Sequence, residues 1–233
     1  MIQFEHIAIG YSDVLLRSAF IELEAGKVYA LIGRNGIGKS TLLQSLTGMV
    51  PLKEGTIRLL NDSLETLSRL ELVKRIAVVE SRFEGLEYLK VKDYIALGRT
   101  PHTDAFGNLK QQDLAVIHEI AGALGILALM DKFTDQISDG ERQLCAVARA
   151  FVQETPMIIL DEPTAFLDYL NRKKLLTILV ELARDQQKCI LLSTHDLELC
   201  IQEKVPMLLA SSGKLSLHEQ LTLEEVLNEM SKY

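Results

Sequence analysis

The chain has 233 residues, 48% of them hydrophobic and 24% charged, which is enough for one full-sized core. Its formal net charge of -7 argues against nucleic acid as the main partner and against electrostatic adhesion to an anionic membrane. No apolar run approaches the ~18 residues a membrane span needs, "MIQFEHIAIGY" lacks the regions of a signal segment, and Cys145, Cys189 and Cys200 show no CxxC spacing, so a cytosolic chain with small core cysteines is expected.

In chain order, residues 2–9 ("IQFEHIAI") and 20–32 ("FIELEAGKVYALI") read as strands separated by turns. Residues 39–49 read as a helix that opens directly from a glycine-rich loop. "EGTIRLL" and "RIAVV" read as further strands. From about residue 86 to 153 apolar residues recur at helical spacing with no convincing strand, which predicts a helical insertion. Alternation then resumes. "MIIL" (157–160) is a short apolar strand, 168–184 is helical, "KCILLS" is a strand and 196–203 is helical. "PMLLA" and "GKLSLHE" are strands, and Thr222 opens a last helix with Glu225 in capping-box position. Buried apolar strands alternating with helices predict a mostly parallel sheet covered on both faces, with ligands at the carboxyl ends of its strands. The predicted organisation is therefore a nucleotide-binding core with a β subdomain (1–85 and 154–233) and the helical insertion (86–153).

Gly33-Arg34-Asn35-Gly36-Ile37-Gly38-Lys39-Ser40 matches G-x-x-x-x-G-K-[ST] between an apolar strand and a helix. Glycines let consecutive backbone N–H groups turn inward into an anion-binding concavity, and the helix dipole points its positive end at the same place. Lys39 is placed to reach the β- and γ-phosphates of a nucleotide, and the Ser40 hydroxyl to ligate Mg²⁺. "MIILDEP" puts Asp161 and Glu162 at the tip of a buried strand, where adjacent carboxylates are costly unless a cation or water occupies the site. Asp161 would hold the Mg²⁺ shell. Glu162 would orient, or take a proton from, a water attacking the γ-phosphate.

"ISDGERQ" (137–143) alone would be an ordinary helix start, since Ser138 with Glu141 is an S-x-x-E capping box. Its place between the phosphate loop and the acidic strand, with "PTAFLD" (163–168) and "STHD" (193–196) following, makes the chain closely resemble an ABC-type ATPase subunit. The matches are Gly33 to Thr41, Ile137 to Gln143, Ile158 to Glu162, Ala165 to Asp168, and His195. The resemblance implies a P-loop α/β fold with a mostly parallel core sheet, an N-terminal antiparallel β subdomain and an inserted helical subdomain. It also implies that ATP is sandwiched between two copies arranged head to tail. Ser138 and Gly140, with Glu141 beside them, would bind the γ-phosphate held by the other copy. His195 would contact the γ-phosphate, Asp168 would couple the two sites, and Tyr11 falls where the family stacks an aromatic on adenine.

Two departures stand out. The signature reads Ser-Asp-Gly-Glu in place of the usual Ser-Gly-Gly-Gln, so Asp139 brings a carboxylate near a phosphate. The family's Mg²⁺-ligating glutamine after "RIAVV" is also missing: the window reads Glu80-Ser81-Arg82, with Ser81 best aligned and able to reach Mg²⁺ through a water.

"YIALGRTPHTDAFG" (94–107) resembles the subgroup powering bacterial import of iron–siderophore, haem or cobalamin. That resemblance implies polytopic permease subunits, an indirectly linked substrate-binding protein, and a peripheral place on the cytoplasmic face of the inner membrane. The alternative is a soluble ABC ATPase that drives assembly of a partner, of the iron–sulfur scaffold type. A single-site P-loop kinase would have no need of "ISDGERQ".

Overall fold

The computed structural model describes every residue except Arg82, Ala105, Lys232 and Tyr233. The first strands are β1 (Ile2–Ile9), β2 (Leu16–Arg17), β3 (Phe20–Leu23), β4 (Val28–Gly33), β5 (Glu54–Leu59), β6 (Asp62–Ser63) and β7 (Ile76–Val79). After the helical region come β8 (Met157–Asp161), β9 (Cys189–Ser193), β10 (Met207–Ser211) and β11 (Lys214–His218). The helices are α1 (Lys39–Leu46), α2 (Arg69–Val73), α3 (Val91–Ala96), α4 (Gln111–Ala123), α5 (Asp139–Phe151), α6 (Tyr169–Asp185), α7 (Leu197–Gln202) and α8 (Leu223–Ser231), the longer of them carrying 3.6-residue apolar periodicity.

The strands join one mixed sheet in the order β6-β5-β1-β2-β11-β10-β4-β9-β8-β7, with β3 paired to β1. From β10 to β7 every neighbouring pair is parallel, as mostly apolar strands joined through helices favour. β1 pairs antiparallel with β2, β3 and β5. β11 pairs antiparallel with β10 and joins β2 through the single parallel register pair Lys214↔Arg17, which links the N-terminal strands to the central ones.

Period-two alternation sends side chains of each central strand into one of two cores. Tyr29, Leu31, Ile159 and Leu191 face the layer of α1, against Leu42, Leu43 and Leu46. Ala30, Ile32, Ile158, Leu160, Ile190 and Leu192 face the opposite layer, against Cys145 and Val147 of α5 and Leu175 and Leu179 of α6. Cys145, Cys189 and Cys200 are buried free thiols, and burial pushes each up to about 12.

The run at 20–32 is interrupted between β3 and β4, where Gly26 at φ +78° turns the chain. The helix opening at Lys39 ends at Leu46, short of residue 49, and Gly48 follows with φ +71°. Among the described residues, 91–151 contain helices and short 3₁₀ turns but no strand beyond an isolated Lys90↔Phe133 bridge. Buried Arg99 pins this region: its guanidinium reaches Asp113 Oδ1 at 2.7 Å, Val152 O at 2.6 Å and Glu154 Oε2 at 2.5 Å. The Lys110 N–H and the Arg99 guanidinium hold the Asp113 carboxyl below its usual range. Thr222 and Glu225 form the expected box at the start of α8.

Candidate nucleotide site

β4, β9 and β8 lie side by side, and their carboxyl ends carry Gly33, Ser193 and Asp161 on one edge of the sheet. The loop after β4 takes Gly36 to φ +78° and Gly38 to φ +115°, values that L side chains rarely adopt. Gly38 is the N-cap of α1. It offers no side-chain cap, and the first turn holds no acidic residue, so no side chain competes for the leading N–H groups. Lys39 is 7% exposed and donates from Nζ to Gly33 O at 2.6 Å and Arg34 O at 3.2 Å. Burial lowers its ammonium from the ordinary value, opposed by the charges of Glu162 and Asp161.

Facing this loop is an open cavity of about 330 Å³ whose walls include Asn35, Gly36, Lys39, Ser40, Thr41, Ser81, Asp161 and Glu162. Leu15 adds an apolar contact, which sequence reasoning missed because the only local signal is a leucine following a turn. A larger apolar groove of about 550 Å³ lies elsewhere, between α1, α2 and β7. The chemistry decides between them: only the smaller cavity holds the lysine, both carboxylates and the helix N-terminus.

At the acidic edge, Ser193 Oγ donates to Asp161 Oδ1 at 2.5 Å and accepts from Glu162 N at 2.9 Å. Glu162 has φ +47°, a strained value for a non-glycine residue. Its Oε1 lies 3.1 Å from His195 Nε2, so the structure brings His195 and Glu162 together. Asp196, next to His195, accepts from Thr164 Oγ1 at 2.6 Å and from Arg172 Nη1 at 2.9 Å, while Arg172 Nε donates to Leu167 O at 2.7 Å. The turn after β8 is thus tied to the turn after β9. The motifs "PTAFLD" and "STHD" contain Thr164 and Ser193 without showing these contacts, and no motif marked Arg172, because the partners come from neighbouring strands and turns.

Gly38 lines the cavity as well, and the remaining expected residues lie outside its lining. Gly33 ends β4, Arg34 is exposed, and Ile37 packs against the α1-side core. Tyr11 is exposed and donates its hydroxyl to Gln44 Oε1 at 2.7 Å, beside α1. Ser138 caps α5: its N and Oγ donate to Glu141 Oε2 at 2.8 and 2.9 Å, and Glu141 N donates back to Ser138 Oγ at 3.3 Å. The Ser138 N–H holds the Glu141 carboxyl below its usual range. Asp139 pairs with Arg142, which compensates the extra carboxylate that the sequence places here. A Cβ at Gly140 would lie 2.9 Å from Leu167 Cδ2, so glycine lets α5 pack against the turn before α6. Asp168 caps α6, accepting from Asn171 N at 2.9 Å.

Three or more His, Cys, Asp or Glu side chains do not cluster as a metal cage among the described residues. Ser40 and Asp161 line one cavity and present it with hard oxygen atoms of the kind a Mg²⁺ shared with phosphates takes.

A glycine-rich loop feeding an uncapped helix, facing an acidic strand end across one intervening strand, defines a P-loop nucleotide-binding cassette. A family model described as ABC transporter matches residues 16–165. An uncharacterized ABC transporter ATP-binding protein of Methanocaldococcus jannaschii is 34% identical over 99% of this chain and 81% of its own length. The iron(3+)-hydroxamate import ATP-binding protein FhuC of Bacillus subtilis is 31% identical over 83% of this chain and 72% of its own. A solved ABC transporter in an inward-facing conformation superposes with TM-score 0.82 at 26% identity, covering 98% of this chain and 88% of that one. The chain belongs to the ABC transporter ATP-binding family, and it is an ATPase of that family.

Proposed function

We propose that this chain is the ATP-hydrolysing subunit of a membrane importer and works as a head-to-tail pair of copies. The observation that carries the reading is the split site. Lys39, Ser40, Asp161 and Glu162 share one cavity, while Ser138 and Gly140 stand outside it at the exposed start of α5. One copy alone therefore lacks the second γ-phosphate contact, and a second copy supplies it.

Lys39 and the N–H groups of Gly36 to Thr41 take the phosphates, and Tyr11 stacks on the adenine. Mg²⁺, when bound, neutralises phosphate charge; Ser40 and Asp161 would hold it, with Ser81 reaching it through a water. Glu162 takes the proton of the attacking water as the new P–O bond forms and the bond to ADP breaks. His195, bonded to Glu162, reports the γ-phosphate, and Asp168 links the two sites of the pair.

The apolar groove supports a membrane partner. Met49, Leu70 and Val73 are large, exposed side chains on or beside it, and β7, which borders it, leads directly to Ser81 in the nucleotide cavity. A polytopic permease on this face would place the chain at the cytoplasmic side of a bacterial inner membrane. No helix among the described residues is long and apolar enough to cross a membrane itself. The cargo class is an iron–siderophore, haem or cobalamin, delivered to the permease by a substrate-binding protein, in keeping with the iron(3+)-hydroxamate import of the Bacillus relative. Affinity purification from membranes tests this reading. Recovery with a polytopic permease whose uptake of a ferric chelate stops in a Lys39→Ala strain supports it. Recovery with a soluble scaffold in the cytosolic fraction contradicts it.

A further inference from the structure

Ser193 is the one polar side chain of β9, whose other members are Cys189, Ile190, Leu191 and Leu192. It is 0% exposed. A buried hydroxyl needs partners, and this one has both: it donates to Asp161 Oδ1 at 2.5 Å and accepts from Glu162 N at 2.9 Å. The parallel register sets Asp161 directly beside Ser193, so the contact follows from strand pairing. One atom thus fixes two things. It holds Oδ1 of Asp161 toward β9 at the wall of the nucleotide cavity, and it satisfies the N–H of Glu162 where the backbone takes φ +47°.

We infer that Ser193 is a positioning residue for ATP hydrolysis, holding the metal-side carboxylate Asp161 and the base Glu162 in one fixed relation. The inference rests on the roles of Asp161 and Glu162 proposed above. Ser193 does not line the nucleotide cavity, whereas Asp161 and Glu162 do. It acts through hydrogen bonds on these two, as outer-shell partners orient metal ligands elsewhere.

The test is Ser193→Ala, with Ser193→Thr as the variant that keeps the hydroxyl. Binding of a fluorescent ATP analogue is titrated with Mg²⁺ and, separately, measured in EDTA; turnover and thermal melting are followed alongside. Loss of an outer-shell partner weakens metal affinity or activity by about 10–100-fold. The Ala variant is expected to need correspondingly more Mg²⁺ for half-maximal binding and to lose kcat, with EDTA binding unchanged because the loop around Lys39 is untouched. Ser193→Thr is expected to restore both. Wild-type Mg²⁺ dependence in Ser193→Ala, or equal losses with and without Mg²⁺, overturns the inference. If the Ala protein does not fold, the nearly isosteric Ser193→Cys decides, since a thiol is a weak donor: an intermediate loss supports the role and wild-type Mg²⁺ dependence overturns it. Absence of any Mg²⁺ effect in the unmodified protein would instead refute the metal-site reading itself.

Discussion

Glu162→Gln isolates the proton-accepting role most cleanly. The amide is nearly isosteric with the carboxylate, so its oxygen can still meet His195 Nε2, which lies 3.1 Å from Glu162 Oε1. The backbone is unaffected, because Glu162 N is held by Ser193 at 2.9 Å whatever the side chain. Lys39 and the loop N–H groups, which take the phosphates, are not altered. ATP binding should therefore persist. What disappears is a base for the attacking water, a contribution of typically about 10²–10⁴ in rate. At about 1.36 kcal/mol for each factor of ten, the barrier should rise by about 3–5 kcal/mol. Single-turnover release of labelled phosphate gives the rate, and size exclusion with ATP gives the state of assembly. The variant should bind ATP at near wild-type affinity, hydrolyse it at least about a hundredfold more slowly, and elute as a trapped dimer. Turnover within about threefold of wild type, a barrier change under about 1 kcal/mol, would refute the assignment of Glu162 as base.

Lys39→Ala should abolish nucleotide binding, because the phosphates lose their main cation; unchanged affinity in a filter assay would contradict this. In the unmodified protein burial already lowers the Lys39 ammonium below its ordinary 10.5. Only the protonated form attracts phosphate, so affinity should begin to fall at a pH below that value and approach about a tenfold loss per further unit. A flat affinity up to pH 10.5 would show that the charge on Lys39 does not matter. Arg99→Ala should destabilise the chain by about 3–5 kcal/mol in urea denaturation, since it leaves buried Asp113 without its cation and Val152 O without its donor. A loss under about 1 kcal/mol would mean that water replaces the guanidinium.

Features carried by contiguous residues are legible in the amino-acid sequence. The loop from Gly33 to Ser40, the apolar strand ending in Asp161 and Glu162, and the capping boxes at Ser138 and Thr222 each depend on spacing within a few positions. The helix α2 is also legible in principle, for Ser68 and Glu71 form a capping box, but five residues are too short to show periodicity. The strands β2 and β6 have two residues each and exist only because partners lie beside them. Strand order is not legible, because pairing of β9 between β4 and β8 is a long-range choice. For that reason nothing in the sequence marks Leu15 or Arg172, and although "STHD" and "PTAFLD" hold Ser193, Asp196 and Thr164, nothing in them shows which groups these residues pair with. Asp139 reads as a charge conflict at the signature; the structure pairs it with Arg142, three residues along the same helix.

The central claim is that each ATP is enclosed by the Lys39 loop of one copy and the Ser138 helix end of another. Mixing two inactive variants, Lys39→Ala and Ser138→Ala, tests it directly. A mixed pair has one site with both defects and one site with none, so hydrolysis should reappear on mixing and rise with protein concentration. If the mixture stays as inactive as either variant alone while both still form pairs, the shared site does not exist.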